Sequence, residues 1–201
     1  MGREAKGKNL KNIMLKDIKS LSALNDCGRF KQEHFDYFKI PPSRVSKMVW
    51  DGYIQKKTDV NGDSCWNITK DGRDMLSRET GQKVIAYKAQ GSNDKYYHDF
   101  KMADLYCFNY NVGHDNDKEW INETELRDMW DTHLQDMKMN DPDEYDRLSK
   151  LDVSPPDGAI RMPDGSIQAV EAITRWYTEE MITSKMTFCE EMNMTFNGYY
   201  C

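Results

Sequence analysis

The sequence predicts an α+β protein of two successive units, and three observations carry that expectation. Residues 41–76, PPSRVSKMVWDGYIQKKTDVNGDSCWNITKDGRDML, read as helix, two-stranded ribbon, helix. Charge then reverses near residue 90. Residues 1–90 hold 18 Lys+Arg against 11 Asp+Glu, a net of +7, whereas residues 91–201 hold 10 against 23, a net of −13. Finally, a strand, turn, strand and long helix can be read from Asp157 onward. A basic module followed by an acidic one implies two units with different partners.

The first unit, residues 1–85, opens with a basic, polar arm over residues 1–8 that is expected to be flexible. From Leu10 to Leu24 the apolar residues Ile13, Met14, Ile18, Leu21 and Leu24 fall on one helical face, and Asn25, Asp26 and Gly28 break the run. A second helix spans Lys31 to Phe38, with Phe35 and Phe38 inward, and stops before Pro41-Pro42. Ser43 is placed to cap a third, through Asp51, whose apolar positions are Val45, Met48 and Val49. Gly52 ends it. Tyr53–Thr58 and Cys65–Thr69 are rich in aromatic and β-branched residues and flank Asn61-Gly62, a hairpin dipeptide. Thr69 then caps a helix from Lys70 to about Arg78.

That order is the one found in a winged helix-turn-helix. Ser43, Arg44, Ser46 and Lys47 are expected on the outward face of the recognition helix, and Lys56 and Lys57 on the wing. Together they offer donors for the phosphates and base edges of double-stranded DNA.

The stretch from Glu79 to Asp94 reads as a hinge or short strand with a loop, and the second unit, residues 92–201, follows. A helix is expected over Lys95–Phe108, a polar loop over Asn109–Lys118, and a helix from Trp120 through Met139 with Leu126, Met129, Trp130 and Leu134 on its apolar face. The acidic stretch Asn140–Asp152 reads as partly loop. Strands over Asp157–Met162 and Ser166–Ile173 flank the turn Pro163-Asp164-Gly165, and a closing helix runs from Tyr177 to Met194.

Composition narrows the functions. No stretch is apolar enough to span a bilayer and the N-terminus lacks a signal-peptide core, so a soluble, cytoplasmic chain without membrane contact is expected. Cys27, Cys65, Cys107, Cys189 and Cys201 form no CxxC pair, and His34, His98, His114 and His133 no ligand-spaced cluster, which argues for a reducing compartment and against zinc. The absence of GxxxxGK[ST], GxGxxG and GxSxG patterns argues against a nucleotide-binding enzyme or a serine hydrolase. His98, before Asp99, reads as a packing and hydrogen-bonding residue rather than a base or ligand. The five tryptophans read mainly as core, with Trp50 or Trp66 able to lean on a sugar-phosphate backbone.

In the acidic half, Asp157 and Glu171 stand where nucleases of the PD-(D/E)xK type place two strand-borne carboxylates. Such carboxylates hold Mg²⁺, which polarises the phosphate and activates water, while a lysine two positions after the Glu helps position that water. Ile173 occupies that lysine position here. Lys185, on the following helix, is the nearby basic residue able to substitute, and Glu123 is the upstream helical carboxylate.

The motifs Tyr97-His98-Asp99, Trp120-Ile121-Asn122-Glu123, Pro156-Asp157-Gly158-Ala159-Ile160 and Val170-Glu171-Ala172-Ile173, in that order, resemble the replication-relaxation proteins of plasmids and other bacterial mobile elements. The resemblance implies a winged helix followed by a degenerate restriction-endonuclease-like domain, and a role in replication, transfer or their regulation. The leading expectation is a double-stranded DNA-binding protein whose second domain lacks activity, holds no cofactor, and serves homodimerisation or contact with replication and transfer proteins. One alternative is a Mg²⁺-dependent nuclease or nickase using Asp157, Glu171, Glu123 and Lys185. Another is an acidic interaction protein that blocks a host nucleic-acid-processing enzyme.

Overall fold

Residue 10 and residues 12–59, 61–85, 94–112 and 117–201 are described by a computed structural model, which is mixed α+β with two small sheets. Two compact units divide it, Met1–His114 and Asp115–Cys201.

The first unit runs α1 (Leu15–Cys27), α2 (Gln32–Tyr37), α3 (Pro42–Trp50), β1 (Ile54–Thr58), β2 (Ser64–Ile68), α4 (Lys70–Thr80) and α5 (Asp94–Asp104), closed by a π-turn over Leu105–Asn109. Helix α1 starts later than its apolar periodicity suggests. Asp17 fixes the start, because its carboxylate accepts the Met14 N–H at 2.7 Å and satisfies a donor the first turn leaves open. Proline likewise decides where α3 begins. Pro42 occupies the first helical position, where a missing N–H costs nothing, and Pro41 is the flanking residue. Ser43 therefore lies inside the first turn and is not the cap the sequence suggests.

The ribbon pairs β1 with β2 antiparallel, from Ile54 opposite Ile68 to Thr58 opposite Ser64. Its turn is built by Asp59, whose Oδ1 accepts the N–H groups of Asn61 at 2.9 Å and Asp63 at 2.8 Å. Thr69 caps α4 as expected, its Oγ1 accepting the Gly72 N–H at 3.0 Å. Gly72 must lack a side chain, since a Cβ there would lie 2.2 Å from the Tyr53 carbonyl oxygen. Leu21, Leu24, Phe30, Phe35, Met48, Ile54, Met75 and Leu76 are fully buried and form the core between helices and ribbon.

Helix α5 belongs to this unit, not to the second. Arg29 Nε stands 3.3 Å from Asp99 Oδ2, and His34 Nε2 lies 2.9 Å from Asp104 Oδ1. The boundary expected between residues 85 and 92 thus falls after His114. The expected linker at Gly91-Ser92-Asn93, the arm over residues 1–8 and His114 lie outside the described residues. Charge asymmetry survives the shift. Residues 1–114 hold 20 Lys+Arg against 14 Asp+Glu, net +6, and residues 115–201 hold 8 against 20, net −12.

The second unit runs β3 (Glu119–Asn122), α6 (Glu123–Asn140), α7 (Pro142–Leu148), β4 (Gly158–Arg161), β5 (Ile167–Ile173), α8 (Glu179–Glu191) and β6 (Thr195–Tyr200). The sheet order is β3-β4-β5-β6. The first three strands pair antiparallel, with α6 and α7 between β3 and β4, and α8 crosses over so that β6 lies parallel to β5. Leu126, Trp130, Leu148, Ala159, Ala169, Phe188 and Cys189 pack its core.

Two strands depart from the sequence expectation. Residues 120–122 read as the start of a helix but, with Glu119, pair with β4. The helix begins only at Glu123, capped reciprocally by Asn122 and Glu125, with the Glu125 N–H 3.0 Å from Asn122 Oδ1 and the Asn122 N–H 2.8 Å from Glu125 Oε2. The closing helix is shorter than expected at both ends. Thr178 caps it, so Tyr177 precedes it, and Asn193 with φ 52° turns the chain into β6.

Candidate functional site

Two groups of residues merit description, one in each unit. In the first, α3 buries Val45 and Met48 and packs against β1. Ser43, Ser46, Lys47 and Trp50 are exposed at positions i, i+3, i+4 and i+7, so they share one helical face. Ser46 Oγ donates to the Pro42 carbonyl within the helix at 2.9 Å. On β1, four consecutive residues, Gln55, Lys56, Lys57 and Thr58, are exposed. Lys47, Lys56 and Lys57 are thus placed on the surface as the sequence suggests.

Arg44 is not. Its Nε donates to Asp17 Oδ1 at 2.6 Å, its Nη2 donates to Asp17 Oδ2, and the same Nη2 reaches the Asn12 carbonyl at 3.0 Å. Asp17 is fully buried and the Arg44 side chain retains 18% exposure. The pairing raises the already high pKa of the guanidinium. Arg44 is therefore a strut joining the start of α3 to the start of α1, not an outward reader. The sequence alone hid this because Asp17 sits 27 residues upstream on another helix.

In the second unit the structure brings together Asp157, Glu171 and Lys185, and adds Tyr177. Glu171 lies in β5 with its side chain fully buried. Its Oε2 accepts the Asp157 backbone N–H at 2.8 Å, and its Oε1 accepts the Tyr177 hydroxyl and stands 3.1 Å from Lys185 Nζ. Lys185, from α8, also donates to the Pro155 carbonyl at 2.9 Å. Asp157 Oδ2 accepts the Ala172 N–H at 2.9 Å. Burial, then the negative charge of Asp157, pushes the Glu171 carboxyl up to about 7, against the opposing pull of Lys185 and Tyr177. The Tyr177 hydroxyl is pushed far up by burial and by the two carboxylates.

Glu123 does not join them as a side chain. Glu123 follows Asn122, which pairs with Gly158, the residue after Asp157. Yet Glu123 is half-exposed and its Oε1 accepts from Arg127 Nη2 at 2.9 Å along α6.

This centre does not fit Mg²⁺ as it stands. A magnesium site needs several convergent oxygen ligands in near-octahedral geometry. Here an ammonium already occupies the cation position beside Glu171. The one group of three potential metal ligands among the described residues is Glu33, His34 and Asp104, in the first unit. That group fits poorly too. His34 Nδ1 accepts the Lys31 N–H at 2.9 Å, so the ring proton sits on Nε2 and points to Asp104. A metal on Nε2 would have to displace that proton and leave an imidazolate.

His98 is a hydrogen-bonding residue in the first unit. Its Nδ1 lies 3.4 Å from Oδ1 of the buried Asp99. Trp66, Trp120 and Trp130 are buried, but Trp50 and Trp176 each keep 62% exposure, contrary to a general core assignment. Sequence reasoning missed Tyr177 as a partner of Glu171. Its place six residues downstream, between a strand end and the Thr178 cap, is the only local signal. No family model matches this chain, and no curated protein or solved structure is significantly similar to it.

Proposed function

We propose that the chain is a double-stranded DNA-binding protein that engages the duplex through α3 and the β1–β2 ribbon. The observation that carries this reading is one exposed face on α3, holding Ser43, Ser46 and Lys47, on a helix packed against a ribbon that exposes Lys56 and Lys57. The unit bears a net charge of +6, which favours a polyanion. The element order from α1 to α4 is that of a winged helix, in which a helix enters the major groove and a ribbon touches the backbone. The four-stranded sheet of the second unit, with α8 crossing over between the parallel strands β5 and β6, supports reading it as a restriction-endonuclease-like domain. Its ammonium-filled carboxylate centre supports an inactive role in dimerisation or partner contact. With the resemblance to replication-relaxation proteins, this points to a cytoplasmic factor in replication or transfer of a mobile element.

The test is anisotropy titration of a labelled mixed-sequence duplex against salt. Each phosphate-contacting lysine removed from Lys47, Lys56 or Lys57 flattens the slope of log K against log salt by about 0.9. A parent protein that fails to bind duplex at low salt would remove the proposal.

A further inference from the structure

Resting on the duplex-binding reading, we infer that Trp50 is the apolar, salt-independent contact of this interface, laying its indole on the deoxyribose edges of the duplex. Three observations converge on it. Trp50 ends the α3 face that begins at Ser43, so it stands over the same surface as Lys47, one turn away. It is 62% exposed on a helix that fully buries Met48, although it is the largest apolar residue that helix has. Trp66, the other tryptophan of the unit, is only 9% exposed and is opposite Lys56 in the ribbon register, so it has little indole surface to offer a ligand.

The withdrawal of Arg44 gives the indole its importance. With the guanidinium held by Asp17, the α3 face has two hydroxyls and a single cation, Lys47, and the ribbon adds Lys56 and Lys57. Three lysines supply an electrostatic affinity that fades steeply with salt. Affinity that persists at physiological salt needs a contact that gains from leaving water, and an indole provides it by burying apolar surface. Deoxyribose is the matching partner, since it is the apolar part of the backbone that flanks each phosphate Lys47 can reach. Such a contact is independent of base sequence.

Full-length protein carrying Trp50→Ala is titrated with a labelled mixed-sequence duplex over a range of salt, beside the parent, Trp50→Phe and Lys47→Ala. Hiding most of one indole face from water corresponds to about a tenfold change in affinity. Trp50→Ala is expected to weaken binding by that amount along a line parallel to the parent's. Trp50→Phe should recover most of the loss, and Lys47→Ala should flatten the line. In a Trp176→Phe background, duplex should shift the emission of Trp50 to the blue. Binding of Trp50→Ala within twofold of the parent, or a flattened slope in that variant, overturns the inference while leaving duplex binding standing. Failure of the parent to bind duplex overturns both. Because Trp50 is largely exposed, circular dichroism and an unchanged melting transition separate lost contact from lost fold.

Discussion

Two buried carboxylates, Asp17 in the first unit and Glu171 in the second, each face a long cation from another element, and they meet different fates. Asp17 receives two nitrogens of Arg44 and the Met14 N–H. One anion meets one cation in a bidentate fork, and the cluster is neutral. Glu171 receives Lys185, the Tyr177 hydroxyl and the Asp157 N–H, but Asp157 brings a second carboxylate. A second carboxylate thus stands beside the buried one. Burial first, and the charge of Asp157 second, make the ionised form costly, which is why the Glu171 carboxyl rises to about 7. A planar fork on a lone anion makes a rigid strut, whereas a buried carboxylate beside a second one makes a centre that titrates.

The largest expected effect follows from cutting the strut. Arg44→Ala leaves Asp17 buried without its cation, at a cost of about 3–5 kcal/mol to the first unit. Peptide-resolved hydrogen exchange should show α1 and α3 losing protection together while β4 and β5 keep theirs. Loss of duplex binding in this variant would accompany unfolding of the unit, not follow from a missing base contact. A folded, fully protected Arg44→Ala protein would show that the pair is not a strut.

The titrating centre makes the next prediction. In the fold the Glu171 carboxyl stays protonated up to about 7, while in the unfolded chain it ionises near its ordinary value of 4.5. The native state therefore binds the extra proton. The stabilisation is fully present below about 4.5 and is lost as pH rises through about 7, amounting to about 3 kcal/mol across that window. Glu144 and Glu191 act in the opposite sense at lower pH, because Arg147 holds both below the usual carboxylate range. Denaturant unfolding of the second unit should weaken from pH 4.5 to 7 in the parent and lose this slope in Glu171→Gln. An equal slope in both proteins would assign the pH dependence elsewhere.

Removing the cation should be milder here than in the first unit. Lys185→Met leaves Glu171 free to hold its proton, so at pH 5 the loss should be on the order of 1 kcal/mol, growing above pH 7 as the carboxyl is forced to ionise. A loss at pH 5 as large as that of Arg44→Ala would mean the two centres are alike.

How far these sites were legible in the sequence follows from the same contrast. The α3–ribbon–α4 order was readable because prolines, glycines and the Thr69 cap act locally, within a few residues. The strands β4 and β5 showed through the turn Pro163-Asp164-Gly165 that they flank. Lys185 was named as the residue able to replace the missing lysine, and α8 does carry it to Glu171. What escaped was long-range. Arg44 and Lys47 look equivalent along the chain, and only the pairing with Asp17 on α1 holds one of them inward. Strand β3 is four residues long and gains its identity from pairing with β4 rather than from its own periodicity. Helix α5 is amphipathic enough to serve either unit, and it was Asp99 and Asp104, meeting Arg29 and His34, that joined it to the first.

The smallest expected effect is that of magnesium. Binding to the native state alone would stabilise the second unit in proportion to the logarithm of occupancy. In the parent, Mg²⁺ must displace Lys185 Nζ from beside Glu171 Oε1 and strip the Tyr177 hydroxyl from the same oxygen. It must also ionise a carboxyl that at neutral pH is about half protonated. Each step opposes binding, and Ile173 offers no charge to position an attacking water. Millimolar Mg²⁺ should therefore leave the melting temperature of the second unit unchanged and supercoiled plasmid uncut. Lys185→Met at pH 8 is the sharper comparison, because there the ammonium is gone and the carboxyl is pressed to ionise. A magnesium-dependent rise in melting temperature in that variant alone would show Lys185 to be a built-in substitute for the metal. Plasmid nicking by the parent that disappears in both Asp157→Ala and Glu171→Ala would instead make the centre catalytic and overturn its reading as a closed ion pair.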